Sequence, residues 1–142
     1  MTSWSPTLIG INLNIDQKIP PREFRVGKNS EICIKDLASI TLGENEQVTF
    51  TNEGKEFDVC KKKWGFYATP STNRRLKSYG YLACICVNES GSIYVLVVDE
   101  NYKDDFLFYL KAQNMKILSW LDDDYVIQKE KDLSWWVRTL LD

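Results

Sequence analysis

The 142-residue sequence contains no histidine. This absence excludes Ser-His-Asp and Cys-His nucleophilic pairs, a histidine general base and histidine-ligated metal sites within the chain. Any catalysis would have to use carboxylates, lysine, tyrosine or cysteine. The four cysteines include no CxxC pair, so we expect no metal site and no cofactor.

Long apolar runs are also missing, since the longest, at 93–98, is far shorter than a membrane-spanning helix. The N-terminus has neither a basic region nor the apolar core of a secretory signal, so a cytoplasmic protein without a membrane anchor is expected. In that reducing compartment the cysteines are interpreted as core residues. Cys84 and Cys86 point to one face of a predicted strand and cannot easily form a disulfide with each other.

The spacing of apolar residues predicts an α+β fold, in which two hairpins and a further strand form an antiparallel or mixed sheet with helices on one face. The hairpins are predicted at 47–51 with 56–60 and at "YLACICV" with "SIYVLVV", and the further strand at "MKILSWL". We expect a single domain with a β-rich extension at 1–43, the main sheet and helix at 44–124, and a C-terminal amphipathic helix at 125–142. Within the extension, a strand ends at "KIPP", and "EICIK" and "ASITL" form two short strands.

Three helices are predicted. A short one follows Ser71 or Thr72 as N-cap and stops at Gly80. A longer one lies within 99–114, where the apolar stripe comprises Tyr102, Phe106, Tyr109 and Leu110. The C-terminal helix carries a stripe of Leu133, Trp136, Val137, Leu140 and Leu141. Trp135 lies off that stripe and is a predicted homodimer contact.

Positive charge is concentrated in one segment of this chain of net charge −2. Residues 60–98 contain six basic side chains and one acid, whereas the segments on either side are net acidic. One interpretation is a solvated surface in which these cations pair with acids of the same chain, such as those of "LDDD". Another is an anion site, because Arg74 and Arg75 lie in the first turn of a helix, where the dipole disfavours cations. Free first-turn amides and the Ser71 hydroxyl would help to bind that anion.

The basic segment also contains three aromatic residues. Phe66 is interpreted as a core residue, whereas Trp64 and Tyr67 are expected to stack on a sugar ring or a base. Single-stranded nucleic acid is a less favoured ligand, because the pI is near 5.3. The alternative function is an enzyme that uses Asp58 and Tyr67. If Asp58 has only a structural role, we expect it to be a carboxylate at the end of a strand, paired with a neighbouring lysine.

The stretch "KWGFYATPSTNRRL", with "EFDV" before it and "WLD" after it, resembles a small uncharacterised family of bacterial proteins with a WGFYATPSxNxRL core. The matching residues are Phe50, Asp58, Val59, Trp64, Gly65, Tyr67, Thr69, Pro70, Ser71, Asn73, Arg75, Leu76, Gly80, Trp120, Leu121 and Asp122. The resemblance implies an association with surface-polysaccharide or sugar-nucleotide enzymes and a sugar phosphate as ligand, but it implies no activity. The chain departs from the family pattern at Arg74, where a small residue is expected.

Together these observations predict a non-catalytic binding or accessory protein with a site for a small anionic ligand or a protein partner around residues 58–77. The predicted ligand-binding residues are Trp64, Tyr67, Ser71, Asn73, Arg74 and Arg75. The aromatic residues would stack on the ligand and the arginines would bind its charge. Ser71 and Asn73 would fix its orientation.

Overall fold

The structure, a computed structural model, describes residues 13–122, and these divide into two compact units. Over the described residues, the first unit comprises 13–51 and 58–69, and the second comprises 52–57 and 70–122. The predicted subdivision of a single domain at residues 43 and 124 stays a prediction. Residues 9–12 of the first predicted strand, the C-terminal helix and Trp135 lie outside the described residues.

The first unit begins with a two-stranded antiparallel sheet of β1 (Asn14–Val26) and β2 (Ile32–Thr41). The prediction that the first strand ends at "KIPP" is wrong, because β1 continues through both prolines. The pairing shifts register between Gln17 and Arg22, so the prolines lie in a bulge, where the missing N–H groups break no ladder hydrogen bond. "EICIK" and "ASITL" also form one strand and not two.

A second sheet has the order β3-β4-β5, with β3 (Gln47–Asn52), β4 (Lys55–Lys62) and β5 (Gly65–Ala68). The predicted first hairpin is confirmed as β3 and β4, and the turn between them contains Glu53 and Gly54, both with positive φ. β5 was not predicted. It pairs antiparallel with β4 and extends the sheet by a third, short strand.

The second unit contains α1 (Arg75–Ser78), β6 (Tyr81–Val87), β7 (Ile93–Asp99), α2 (Lys103–Ala112) and β8 (Lys116–Trp120). The sheet order is β7-β6-β8, with both neighbouring pairs antiparallel. The predicted second hairpin, the longer helix and the strand after it are all confirmed, and so is the α+β class. Within 13–122, no helix is both long enough and apolar enough to cross a membrane.

The core of the second unit lies between the sheet and α2. Its buried residues are Cys84, Cys86, Val98 and Leu110, with Leu96, Phe106, Met115, Ile117 and Trp120 packed around them. Only part of the predicted helical stripe faces this core, since Tyr102 and Tyr109 are exposed. Tyr102 precedes α2, in a 3-10 turn whose residues do not follow the helical period.

The interpretation of the cysteines as core residues is confirmed for Cys60, Cys84 and Cys86 but is wrong for Cys33, which is exposed on β2. Cys84 and Cys86 are fully buried free thiols, and their Sγ atoms lie 3.6 Å apart. Burial, together with the hydrogen bond to Cys86, raises the pKa of the Cys84 thiol to about 12. The thiol therefore stays protonated and unreactive at neutral pH.

A largely buried ion pair connects the tip of the β3–β4 hairpin to the end of β7 within the second unit. Lys55 Nζ lies 2.8 Å from Asp99 Oδ2, and the two side chains are 18% and 10% exposed. Lys55 Nζ also lies 5.2 Å from the centroid of the Tyr81 ring. Gly80, at φ +80°, passes close by, since a Cβ there would be 3.3 Å from Lys55 Nζ. The positive φ is what favours glycine at position 80, and the ends of the Lys55 and Glu100 side chains lie close to it.

This ion pair makes stability depend on pH. The hydrogen bond from Lys55, and after it the bond from the Asn101 amide, lowers the pKa of Asp99. The contribution of the ionised Asp99 to folding stability is therefore present above its pKa in the unfolded state, about 3.9, and is lost as the pH falls through the lower pKa of the folded state. The hydrogen bond to Asp99 raises the pKa of Lys55. The contribution of the charged lysine to folding stability is therefore lost only as the pH rises above the pKa of lysine in the unfolded state, about 10.4.

We expect Asp99→Asn to lower Tm near neutral pH. We also expect the Tm of this variant to fall less steeply than that of wild type as the pH is lowered. Asparagine can still accept the Asn101 hydrogen bond, so the substitution removes mainly the charge. The measurement is Tm by differential scanning calorimetry from about pH 2 to pH 7. Asp122→Asn is the control, because Asp122 pairs with Lys77 at 3.7 Å on the surface. Parallel Tm curves for wild type and Asp99→Asn would contradict this prediction.

Candidate functional site

The β4–β5 hairpin of the first unit contains the densest group of predicted site residues. Its register is Val59↔Ala68, Cys60↔Tyr67, Lys61↔Phe66 and Lys62↔Gly65. Residues directly opposite each other share a face, so Cys60, Lys62 and Tyr67 lie on one face and Lys61 and Phe66 on the other. A two-residue turn, Lys63 and Trp64, connects the strands.

Trp64 and Tyr67 form a stacked aromatic pair at the surface. Their ring centroids lie 5.9 Å apart, with an angle of 25° between the planes. The two residues are 71% and 42% exposed, so large parts of both rings contact solvent. The structure therefore brings together the two side chains predicted to stack on a ligand, and it leaves them accessible.

Phe66 does not occupy the core position predicted for it. It is 62% exposed and lies on the face opposite to Tyr67, where Lys61 Nζ is 5.5 Å from the centroid of its ring. The prediction failed because it did not recognise that "GFYA" forms the strand β5. As a strand, the segment directs neighbouring side chains to opposite faces.

Lys62, on the same face as Tyr67, is held by the loop before β3. Lys62 Nζ donates to Asn45 Oδ1 at 2.6 Å, and Lys61 Nζ donates to the Lys62 carbonyl. The Asn45 amide donates to the Lys61 carbonyl at 2.8 Å, so the loop is fixed to β4 through its backbone as well. Asn45 was not predicted, although a left-handed asparagine is typical of a turn such as "GENE".

The turn before β5 requires its glycine. Gly65 has φ +142°, and a Cβ there would meet no atom within 4 Å. The requirement therefore comes from backbone conformation and not from lack of space. This glycine determines how Trp64 enters the strand and hence where the indole lies relative to Tyr67.

Asp58 lies within β4 and is 4% exposed. Its Oδ2 accepts a hydrogen bond from Thr69 Oγ1 at 3.1 Å, and its carbonyl accepts from the Thr69 amide at 3.0 Å. The interpretation as a strand-end carboxylate is wrong, because β4 continues to Lys62. The alternative role as a catalytic base with Tyr67 requires access to substrate, and a carboxylate this buried has little.

In the second unit, Ser71 organises the start of α1. Its hydroxyl accepts from the Arg75 amide at 3.1 Å, and its carbonyl accepts from the amides of Arg74 and Leu76 at 3.3 and 3.0 Å. The prediction that these amides are free for an anion is therefore wrong. The predicted position of Gly80 after the end of the helix is confirmed. The prediction of Ser71 or Thr72 as N-cap is wrong, because α1 begins at Arg75 and Arg74 is its N-cap.

The predicted ligand-binding residues form two groups. Trp64 and Tyr67 belong to the first unit, whereas Ser71, Asn73, Arg74 and Arg75 belong to the second. Lys77, also in the second unit, pairs with Asp122 at 3.7 Å, as the interpretation of a solvated ion-pair surface expects. The first group contains the stacked aromatic pair, and Ser71 and Arg74 of the second group are exposed as well.

Among residues 13–122, no group of three or more cysteine and acidic side chains is placed to bind a metal ion. Comparison with known proteins finds no matching family model, no matching curated protein and no matching solved structure. The resemblance to the bacterial family with the WGFYATPSxNxRL core therefore stays a prediction.

Proposed function

We propose that this is a non-catalytic binding protein whose Trp64–Tyr67 pair stacks on the sugar ring or base of a small anionic ligand. The observation that supports the proposal is the exposed, preformed stack, with 71% and 42% of the two residues accessible. Exposed aromatic rings of this kind offer a flat apolar surface to a ring, and Trp64 adds an indole N–H as a hydrogen-bond donor.

Charge next to the stack supports an anionic ligand. Lys62 lies on the same face as Tyr67 and is held by Asn45, and Lys63 lies beside Trp64 in the turn. Ammonium groups attract phosphate without the fixed geometry that a guanidinium imposes. A sugar phosphate or a sugar nucleotide combines the two chemical features, a ring and a negative charge. The resemblance to the bacterial family with the WGFYATPSxNxRL core is the basis on which we also propose a role beside polysaccharide or sugar-nucleotide enzymes.

The other functions have less support. An enzyme using Asp58 and Tyr67 would need substrate to reach a carboxylate that is 4% exposed and hydrogen-bonded to Thr69. Single-stranded nucleic acid would use the same rings and lysines, but the pI near 5.3 disfavours binding to a long phosphate backbone. We propose a cytoplasmic location, which is supported by four free cysteines, one of them exposed.

The test is isothermal titration of the full chain with UDP-glucose, glucose 1-phosphate and UMP. Trp64→Ala is expected to weaken binding by at least about tenfold, as the loss of one stacking contact implies. Its Tm should stay close to that of wild type, because the indole is 71% exposed. Phe66→Ala is the matched control, since that ring is also exposed but lies on the opposite face, and it should bind as wild type does.

Three outcomes would overturn the proposal. They are no binding of any of the three compounds by wild type, equal binding by wild type and Trp64→Ala, and tighter, steeply salt-dependent binding of an oligo-dT strand. Arg75→Ala in the same titration tests whether the second group of predicted residues binds the ligand's charge. Turnover of any of these compounds that disappears in folded Asp58→Asn would establish the enzyme alternative instead.

A further inference from the structure

The sheet of β1 and β2 has two strands and exposes both of its faces within the described part of the chain. No residue of either strand is buried. Among residues 13–122, neither strand has a further neighbour in its sheet. A two-stranded sheet is only marginally stable in water, so a third strand at one of its edges would stabilise it.

The two outer edges of this sheet differ. β1 contains Pro20 and Pro21, its pairing shifts register around them, and five of its side chains are charged. Prolines, bulges and charges are the features by which natural sheets prevent pairing at an edge. β2 has ten residues without proline or glycine, and its charged side chains are Lys35 and Asp36. The edge that can accept another strand is therefore that of β2.

Both charged residues of β2 face an opposite charge on β1. Lys35 lies opposite Glu23 in the register, and Asp36 Oδ2 accepts hydrogen bonds from Arg22 Nη2 at 3.0 Å and from Arg22 Nε at 3.2 Å. Each charge is thus balanced within the sheet, which weakens the barrier that charges set against an incoming strand.

A second copy of β2 fits this edge. In an antiparallel dimer with a two-fold axis perpendicular to the sheet, opposite residues share a face, so both are odd-numbered or both are even-numbered. Two such registers pair nine of the ten residues, over 32–40 or over 33–41. The first is centred on Asp36 and places that carboxylate opposite its own copy, which is unfavourable. The second is centred on Leu37 and places no like charges opposite each other.

The register centred on Leu37 also matches side chains by their chemistry. Ile34 would lie opposite Ile40 of the second copy and Cys33 opposite Thr41, while Leu37, which is 61% exposed, would contact its own copy. The remaining pairs place a charged residue opposite a small one, Lys35 with Ser39 and Asp36 with Ala38. Nine paired residues on each strand would form about eight to ten hydrogen bonds, a number typical of a stable interface.

We propose that the chain forms a homodimer in which β2 of one copy pairs antiparallel with β2 of the other, in the register centred on Leu37. The two sheets would join into one sheet of four strands, in the order β1-β2-β2-β1. This contact does not use the Trp64–Tyr67 pair, so it is independent of the proposed ligand.

Disulfide cross-linking of Thr41→Cys tests the register. Opposite residues of antiparallel strands have Cα atoms about 4.5–5.5 Å apart, which suits a disulfide. Mild oxidation with diamide should therefore give a covalent dimer on a non-reducing gel, with positions 33 and 41 linked in the peptide map. Wild type should stay largely uncross-linked, because its two Cys33 residues would be about 26 Å apart. Asn14→Cys is the matched control, since position 14 lies opposite Thr41 on β1 and about 10 Å from β2 of the second copy.

Sedimentation velocity of the full chain tests the dimer itself. Wild type should be dimeric, and Leu37→Lys should raise the dissociation constant at least about tenfold, because it places two ammonium groups opposite each other. Leu37 is exposed, so the variant should keep the circular dichroism spectrum of wild type. Ile19→Lys is the control, since this 80% exposed residue lies on β1, and it should dimerise as wild type does.

Three results would each overturn the proposal. One is a wild type that stays monomeric at the highest soluble concentration. Another is an unchanged dissociation constant in Leu37→Lys, as expected if the dimer forms through another surface such as the one predicted at Trp135. The third is a Thr41→Cys variant that cross-links no more than wild type does, or that links positions other than 33 and 41.

Discussion

Leu110→Ala is expected to lower the free energy of unfolding by about 2–5 kcal/mol, as burial in a packed core predicts. Leu110 is 5% exposed and contacts the core that contains Cys84, Cys86 and Val98. Alanine would leave a cavity between α2 and the sheet that neighbouring side chains fill only in part. For a domain of this size the loss corresponds to a fall in Tm on the order of 10 °C or more. Urea denaturation followed by circular dichroism measures it directly.

Phe108→Ala is the matched control for this prediction. Phe108 is on the same helix, is larger and is 75% exposed, so its removal should change the free energy of unfolding by less than about 0.5 kcal/mol. By hydrophobicity alone, the loss of phenylalanine should destabilise the protein more than the loss of leucine. The burial of the two side chains predicts the reverse. Equal losses for the two variants would mean that α2 does not pack on the sheet as described.

Thr69→Val is expected to lower the free energy of unfolding by about 1–3 kcal/mol, the range for a buried polar group that loses its hydrogen-bond partner. Valine has the shape and strand preference of threonine, so the change removes little except the hydroxyl that donates to Asp58. The buried carboxylate would lose that donor in a site with little access to water. Guanidinium denaturation of the folded variant gives the value.

Thr69→Ser and Thr49→Val serve as controls. Serine at position 69 keeps the donor and should retain most of the stability. Thr49 is exposed on β3, so valine there should be close to neutral. If Thr69→Val were as stable as wild type, the hydroxyl would contribute little, and the role of Asp58 as a structural acceptor in the sheet would have to be abandoned.

Periodicity and turn signals in the sequence were sufficient to predict most of the second unit. β6 and β7 are apolar runs bounded by turn residues, and α2 has acids at its start and a left-handed Asn114 after its end. The first unit was predicted less well. Pro20 and Pro21 indicated a break, yet a bulge accommodates them, and β5 has only four residues, too few for a period to be recognised.

The candidate site could be predicted as a set of residue types but not as a geometry. Trp64 and Tyr67 stack because a two-residue turn and Gly65 return the chain antiparallel to β4, in a short hairpin that the sequence analysis did not recognise. Burial of Asp58 depends on tertiary packing, whereas the hydrogen bond from the Arg75 amide to the Ser71 hydroxyl is local, between residues close in sequence. Residue identity indicated which groups could act, and packing decides which of them are accessible.

The distribution of the cysteines gives the protein a built-in site for chemical labelling. Cys60, Cys84 and Cys86 are buried, whereas Cys33 is exposed on β2. A maleimide applied to the native chain will therefore modify Cys33 first, so a fluorophore can be attached to the first unit without removing any cysteine. Unfolding makes all four thiols reactive, so the number of modified cysteines reports the fraction of molecules that are unfolded.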